Sequence, residues 1–220
     1  GEERIISLAR SFGITSDLRP LPSIALGSQE VTLYELTRAY GVFAKAGERL
    51  DPFMILKVED SRGQMIYERL DYDPVQIFPA HLTKDMNAML ARVIQGGTGA
   101  RASIPGWTAA GKTGTSQDWR DAWFVGFTSQ LVGGVWVGND DDSPMNRVTG
   151  GGLPAEIWSS AMAAGLDGQS PRALAGAEGI IKPSPAAEER IAFYRGLSQA
   201  FGDIEAKTVA ASARDGSLRQ

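Results

Sequence analysis

The sequence predicts an α/β fold in which helices flank an antiparallel sheet. Three β-rich segments, 110–116, 121–128 and 130–137, are separated by only a few residues, which is the spacing of an antiparallel meander. The second and third segments are apolar on both alternations, so both faces of their sheet should be covered. Elsewhere the chain carries apolar residues at the helical period, and these predicted helices are the elements that would cover the sheet.

Two helices are predicted in the first part of the chain. Apolar residues in 3–12 fit a short helix, and the proline-containing stretch that follows is interpreted as a loop. A second helix is predicted at about 30–46, because Thr32 and Glu35 form a capping-box pattern at its start. Gly47 stands where a left-handed C-cap would end it.

A small hairpin and a third helix should follow. The runs 53–59 and 64–68 are rich in β-forming residues, and the polar segment 60–63 with its glycine suits the turn between them. Pro79 then opens a helix whose apolar positions keep the 3.6-residue period up to the pair Gly96-Gly97.

The last predicted helix follows the sheet. Pro154 should begin it and Gly165 should end it. The remainder is rich in Ala, Gly, Ser and Pro, and apart from a helix near 186–201 it is interpreted as a weakly ordered tail. The sequence therefore predicts one domain at 1–166 and a tail at 167–220.

The composition argues against several classes of function. Acidic residues outnumber basic ones by 26 to 22, and no Lys and Arg cluster offers the basic surface that nucleic acid requires. The chain has no cysteine and one histidine, so thiol catalysis and Cys or His metal sites are not expected. No apolar run approaches the ~20 residues of a membrane helix. No cofactor and no metal site is predicted, and the acidic run 140–142 is interpreted as a solvated strand end.

One motif suggests a nucleotide site. Residues 106–113 satisfy the phosphate-loop pattern G-x-x-x-x-G-K-[ST]. That loop needs a buried strand before it and a helix after it, because the helix N-terminus supplies much of the phosphate binding. Here a glycine-rich polar loop precedes the motif and a strand follows it, so nucleotide binding is kept only as a remote alternative.

A second motif, Lys112-Thr113-Gly114-Thr115, overlaps the end of the phosphate-loop pattern. Alternation along a strand would direct Lys112 and Gly114 to one face and the two threonines to the other. Gly114 has no Cβ, so a substrate backbone could lie close against the strand there. For so short a motif taken alone, an edge strand with a solvated lysine and threonines is the favoured explanation.

The sequence on either side of this motif distinguishes the two explanations. Segments 111–140 and 150–158 closely resemble the C-terminal half of the transpeptidase domain of class A penicillin-binding proteins, and 22–47 resembles the helical region that precedes it. The resemblance covers about residues 1–166 in the family's order. It implies the serine β-lactamase and penicillin-binding-protein type of fold, present only in part. Where further strands would pair, either an open flank or a second chain is expected.

The resemblance also implies a reaction. Enzymes of this family attack the D-alanyl-D-alanine end of a peptidoglycan stem peptide through a serine acyl-enzyme and transfer the acyl group to an amine, and penicillin traps that acyl-enzyme. Their S-x-x-K and S-x-N motifs precede the K-T-G strand. The sequence contains neither, so we expect a chain that begins after both motifs and is inactive alone. A non-catalytic relative is the alternative.

Site residues follow from the resemblance. Lys112 would keep positive potential for proton shuttling, and the hydroxyls of Thr113 and Thr115 would hold the substrate's terminal carboxylate. The backbone N–H of Thr115 would be one oxyanion-hole donor, beside Gly114. Trp119, in the polar turn after the motif, is expected to border the substrate groove.

Class A membership further implies a setting for the parent protein. It would carry an upstream glycosyltransferase domain and an N-terminal membrane anchor, with this part outside the cytoplasmic membrane. The expected partners are the stem peptide, β-lactams and the N-terminal half of the same domain.

Overall fold

A computed structural model describes residues 1–49, 51–70 and 74–177. The chain divides into two units, Gly1–Gly179 and Ile180–Gln220, and the described residues all belong to the first. The helix predicted at 186–201 lies outside the described residues.

Four α-helices form where the sequence predicts them. They are α1 (Glu2–Ser11), α2 (Leu33–Ala44), α3 (Ala80–Gln95) and α4 (Leu153–Gly165). Helix α2 is shorter than predicted because Thr32 is its N-cap, and the capping box is formed by reciprocal bonds between Thr32 and Glu35. Gly47 has φ +100, and a Cβ there would lie 2.0 Å from the carbonyl oxygen of Phe78, so only glycine fits after this helix.

The described residues contain seven strands, which make three antiparallel sheets. They are β1 (Glu48–Arg49), β2 (Lys57–Glu59), β3 (Met65–Glu68), β4 (Val75–Gln76), β5 (Ala110–Thr115), β6 (Asp121–Phe127) and β7 (Val132–Gly138). Strands β2 and β3 form the predicted hairpin, although residues 53–56 lie outside it. The short β1–β4 pair was not predicted, since two-residue strands leave no alternation to detect.

The main sheet has the order β5-β6-β7, and helices cover both of its faces as predicted. A Cβ on Gly133 would lie 3.0 Å from Nε1 of Trp158 in α4, whereas one on Gly134 would lie 2.1 Å from Oγ1 of Thr37 in α2. Because adjacent strand residues face opposite ways, α4 and α2 lie on opposite faces. Among the described strands, β7 pairs only with β6, so its other edge is the predicted open flank.

Trp158 is the largest fully buried side chain among the described residues, and it packs in the core on the α4 face of the sheet. Its ring centroid lies 5.1 Å from that of Phe124, and its Nε1 donates to the Gly133 carbonyl at 2.9 Å. Ile94 from α3 and Met162 from α4 belong to the same buried cluster. On the other face Phe127 is fully buried among residues of α3. Helix α3 therefore joins both halves of the core.

The first residues after the predicted boundary at residue 166 are packed against the helices and the main sheet. Leu174 is 1% exposed and belongs to the Phe127 cluster. Asn87 Nδ2 donates to the Ala175 carbonyl at 2.9 Å, and a Cβ on Gly176 would lie 2.1 Å from the Lys84 carbonyl oxygen. Composition does not reveal this packing, because it depends on the burial of Leu174 and Ala177 and on hydrogen bonds that the side chains of Asn87 and Ser129 donate to carbonyls of the segment. Residues 178–220 lie outside the described residues.

A buried carboxylate holds the loop before α2. Glu35 is 6% exposed and accepts hydrogen bonds from the backbone N–H groups of Thr15 and Ser16 at 2.6 and 2.9 Å, from both of their hydroxyls, and from Thr32. Burial raises the pKa of Glu35, but the hydrogen bonds from Ser16, Thr15 and Thr32 outweigh burial and hold this pKa well below its ordinary value.

We expect this carboxylate to make the fold acid-sensitive. Because the folded pKa lies below the ordinary 4.5, the stabilisation is complete above that pH and is lost as the pH falls through lower values. Glu35→Gln should lower the unfolding free energy at pH 7 by about 2 kcal/mol and flatten its decline between about pH 5 and pH 3. Urea unfolding across this range measures both effects. Glu156→Gln, at an exposed glutamate, is the matched control, and a Glu35→Gln protein with the parental acid profile would contradict the expectation.

Candidate active site

The Lys112–Thr115 motif lies on β5, the strand at one edge of the main sheet. Its register with β6 is unbroken, with partners Lys112↔Val125, Thr113↔Phe124, Gly114↔Trp123 and Thr115↔Ala122. The alternation predicted from the sequence is therefore present, with the lysine and glycine on one face and the threonines on the other.

Only the second half of β5 is accessible. Ala110 is fully buried and Gly111 is also buried, because α3 packs along this part of the strand. From Lys112 onward the strand reaches solvent, and Thr115 and the turn after it are exposed. An extended ligand can therefore approach the edge only between Lys112 and the β5–β6 turn.

Lys112 presents a cation that no carboxylate of the described residues neutralises. Its Nζ donates to the carbonyl of Thr113 at 2.9 Å. Among the described residues, no carboxylate oxygen lies within ion-pair distance of it. An ammonium group has three hydrogens, so two remain available to a ligand.

The hydroxyl of Thr115 is positioned by a loop that the sequence analysis did not assign to the site. The backbone N–H of Gly150 donates to Thr115 Oγ1 at 3.0 Å. Because the oxygen is the acceptor in this bond, the hydroxyl hydrogen stays free to donate to an anion. A Cβ on Gly150 would lie 2.4 Å from the Gly114 carbonyl oxygen, so the loop lies directly on the strand. The Gly150–Gly152 triplet was a signal of this close backbone approach.

Thr113 has a different partner. Its Oγ1 lies 2.8 Å from Oγ1 of Thr98, in the glycine-rich loop after α3. A Cβ on Gly151 would lie 2.0 Å from the Thr98 carbonyl oxygen, so the two glycine-rich loops are in contact beside β5. The two threonines of the motif are therefore held by two loops, one from each helix that flanks this edge.

Trp119 lies at the open end of β5, in the turn Gln117–Trp119, and is 39% exposed. Asp118 and Trp119 have φ of 57° and 54°, a left-handed conformation that is unfavourable for side chains of this size. The Trp119 carbonyl accepts from the N–H of Met145 at 3.0 Å, and Arg120 pairs with Asp142 at 2.9 Å. The turn is thus fixed against the loop that follows β7.

The structure does not support a phosphate loop at 106–113. Lys112 and Thr113 lie inside β5, and only the short turn Gln117–Trp119 separates this strand from β6. A phosphate loop requires a helix N-terminus directly after its lysine.

Within the described residues, no group of three or more His, Cys, Asp or Glu side chains could hold a metal ion. No helix in the same part of the chain is long and apolar enough to cross a membrane.

Comparisons with known proteins agree with this geometry. The family model of the penicillin binding protein transpeptidase domain matches residues 18–162. Penicillin-binding protein 1A of Aquifex aeolicus is 38% identical over 159 residues, which cover 72% of this chain and 22% of the relative. Penicillin-binding protein 2D of Bacillus subtilis is 29% identical over 82% of this chain and 27% of its own length.

Solved structures give the same result for the fold. The penicillin-binding protein PonA1 of Mycobacterium tuberculosis superposes with a TM-score of 0.73 at 27% identity, over 84% of this chain and 56% of that one. The complex of PonA1 with penicillin V matches with a TM-score of 0.72 at 26% identity, over the same shares of the two chains. The chain spans about a quarter of the length of the curated relatives named above. With more than half of its residues matched by the family model, the chain belongs to the penicillin-binding protein transpeptidase domain family.

Proposed function

We propose that this chain forms one wall of a serine D,D-transpeptidase that cross-links peptidoglycan stem peptides and is acylated by β-lactams. The observation that carries the proposal is the accessible segment Lys112–Thr115 of β5, which combines an ammonium group without a carboxylate partner among the described residues, two positioned hydroxyls and an accessible strand edge. A peptide that ends in a carboxylate needs these three features, namely a cation, hydroxyl donors and a backbone to pair with.

Each residue of the motif has a role in this proposal. Lys112 holds positive potential at the reacting centre and assists proton transfer between the nucleophile and the leaving amine. The hydroxyls of Thr115 and Thr113 donate to the terminal carboxylate of D-alanyl-D-alanine. The backbone N–H of Thr115 donates to the oxyanion of the tetrahedral intermediate. Gly114 lets the peptide backbone lie flat on the strand, since no Cβ stands between them.

The nucleophile in this proposal comes from another part of the domain. No serine among the 220 residues is followed by lysine three positions later or by asparagine two positions later. The chain spans only 22% of a penicillin-binding protein 1A relative, and among the described strands the outer edge of β7 has no partner. We infer a longer parent that also carries a glycosyltransferase domain and a membrane anchor and acts outside the cytoplasmic membrane.

A second candidate is a non-catalytic module on the same scaffold, which would bind stem peptides without acylation. The missing S-x-x-K motif favours it as directly as it favours a separated nucleophile. The two candidates differ in one property, because only a protein with a nucleophilic serine forms a stable bond to penicillin.

Labelling with a fluorescent penicillin tests the proposal. We expect the full-length gene product to be labelled covalently and the 220-residue chain not to be labelled, since the chain supplies carboxylate and oxyanion donors but no serine nucleophile of the S-x-x-K type. Denaturing gel electrophoresis reports the covalent label in both samples. Labelling of the 220-residue chain alone would refute the separated nucleophile, and a full-length product that stays unlabelled would favour the non-catalytic module.

A further inference from the structure

Arg147 lies beside Trp119 at the open end of β5 and takes no part in the reaction proposed above. The guanidinium carbon of Arg147 lies 5.9 Å from the ring centroid of Trp119, within the range of a cation–π contact. Both side chains are exposed. Arg147 is also close in sequence to Gly150, whose N–H positions the Thr115 hydroxyl, so the pair adjoins the proposed substrate wall.

The backbone holds this pair in place. The N–H of Met145 donates to the Trp119 carbonyl at 3.0 Å, and the N–H of Arg147 donates to the Met145 carbonyl at 2.9 Å. Arg147 and Trp119 each have φ of 54°, a left-handed conformation that costs non-glycine residues free energy. Two adjoining left-handed residues with large side chains are more than a connecting loop requires, and such strain is concentrated at binding sites.

The charge of Arg147 is not neutralised by any carboxylate in the described part of the chain. Arg101 pairs with Glu156, and Arg120 pairs with Asp142. Among the described residues, no carboxylate lies within ion-pair distance of Arg147, and its guanidinium lies over the Trp119 ring. Its guanidinium can therefore donate two parallel hydrogen bonds to a planar anionic group of a ligand.

The direction of a bound peptide points to this arginine. In the proposed function the peptide's carboxyl end lies at Lys112 and Thr115. The opposite end of the strand is closed, because Ala110 and Gly111 are buried. The residues that precede D-alanyl-D-alanine must therefore run past Thr115 toward Trp119 and Arg147.

We propose that Arg147 is a specificity-determining residue that binds a side-chain carboxylate on the donor peptide, at a residue preceding D-alanyl-D-alanine. Trp119 is its platform, which restricts the guanidinium to one side and excludes water from one face of the contact. This inference rests on the proposed transpeptidase function and adds the chemical class of side chain that the enzyme prefers.

The test compares two donor peptides in the full-length protein. Both end in D-alanyl-D-alanine, and they differ only in whether the preceding side chain ends in a carboxylate or a carboxamide. We expect kcat/KM for acylation to be about 10-fold higher for the carboxylate peptide, the order expected of an exposed charged hydrogen bond. Arg147→Gln should remove this preference, and Arg147→Lys should retain part of it.

Matched controls make the outcome specific. Arg101→Gln, at an arginine paired away from the strand, should leave both rates and the preference unchanged. Equal rates for the two peptides in the unsubstituted protein, or a preference that survives Arg147→Gln, would overturn the assignment while leaving the transpeptidase function intact. Absence of acylation by both peptides would overturn the proposed function, and the assignment of Arg147 with it.

Discussion

Replacing Lys112 by alanine should lower the rate of acylation by penicillin about 10²–10³-fold in the full-length protein. The substitution removes the only charge on the accessible half of β5, and with it the positive potential that the carboxylate and the reacting serine would share. Folding should hardly change, because the side chain is exposed and its one hydrogen bond goes to the Thr113 carbonyl. Stopped-flow labelling measures the rate, and thermal unfolding measures the stability.

Thr115→Val is the matched comparison on the same strand. It keeps the shape of the side chain and the backbone N–H that would serve the oxyanion, while deleting the hydroxyl that accepts from Gly150. We expect a smaller loss of acylation, about 10-fold, together with weaker recognition of the carboxylate. If Lys112→Ala were acylated at the parental rate, the catalytic assignment of this strand would be wrong.

The largest loss of stability should come from Trp158→Ala. Trp158 is 1% exposed and contacts Phe124 and Met162, and its Nε1 donates to the Gly133 carbonyl. Removing this ring leaves a cavity between α4 and the sheet, which should lower the unfolding free energy by about 3–5 kcal/mol. Urea unfolding of the 220-residue chain, followed by circular dichroism, is the measurement.

Two further variants separate the causes of that loss. Trp158→Phe keeps most of the ring packing and deletes the hydrogen bond to Gly133, so about 1–2 kcal/mol should be lost. Trp136→Phe changes a tryptophan that is 37% exposed, so it should lower the unfolding free energy by less than Trp158→Ala does. A Trp158→Ala protein as stable as the Trp136→Phe protein would show that α4 does not anchor the sheet.

Much of the fold could be predicted because its signals are local. The capping box of Thr32 and Glu35 fixes the start of α2, and double apolar alternation identifies the covered strands β6 and β7. The K-T-G-T motif could be found for the same reason, since its residues are contiguous. The alternation of its side chains between the two faces of the sheet needs only an unbroken register.

The remaining features depend on contacts between distant segments. Nothing in the sequence beside Thr115 shows that Gly150 donates to its hydroxyl, because the two residues meet only when the loop before α4 folds back on β5. Leu174 was assigned to a weakly ordered tail for a similar reason. Its neighbours are polar, and its burial depends on α3, far earlier in the chain. Tertiary packing overrides composition at such positions.

The order of strands in the main sheet also determines how the protein can fold. Strands β5, β6 and β7 are consecutive in the chain and adjacent in the sheet, joined by the short loops 116–120 and 128–131. Hairpins of this kind form quickly because they close small loops, whereas the contact of α2 with Gly134 must wait for a distant segment. We therefore expect the strand that carries the motif to acquire its register early, before α2 covers its face of the sheet. During that interval the outer edges of β5 and β7 are both exposed, and we expect newly made chains to be prone to pair with one another at these edges.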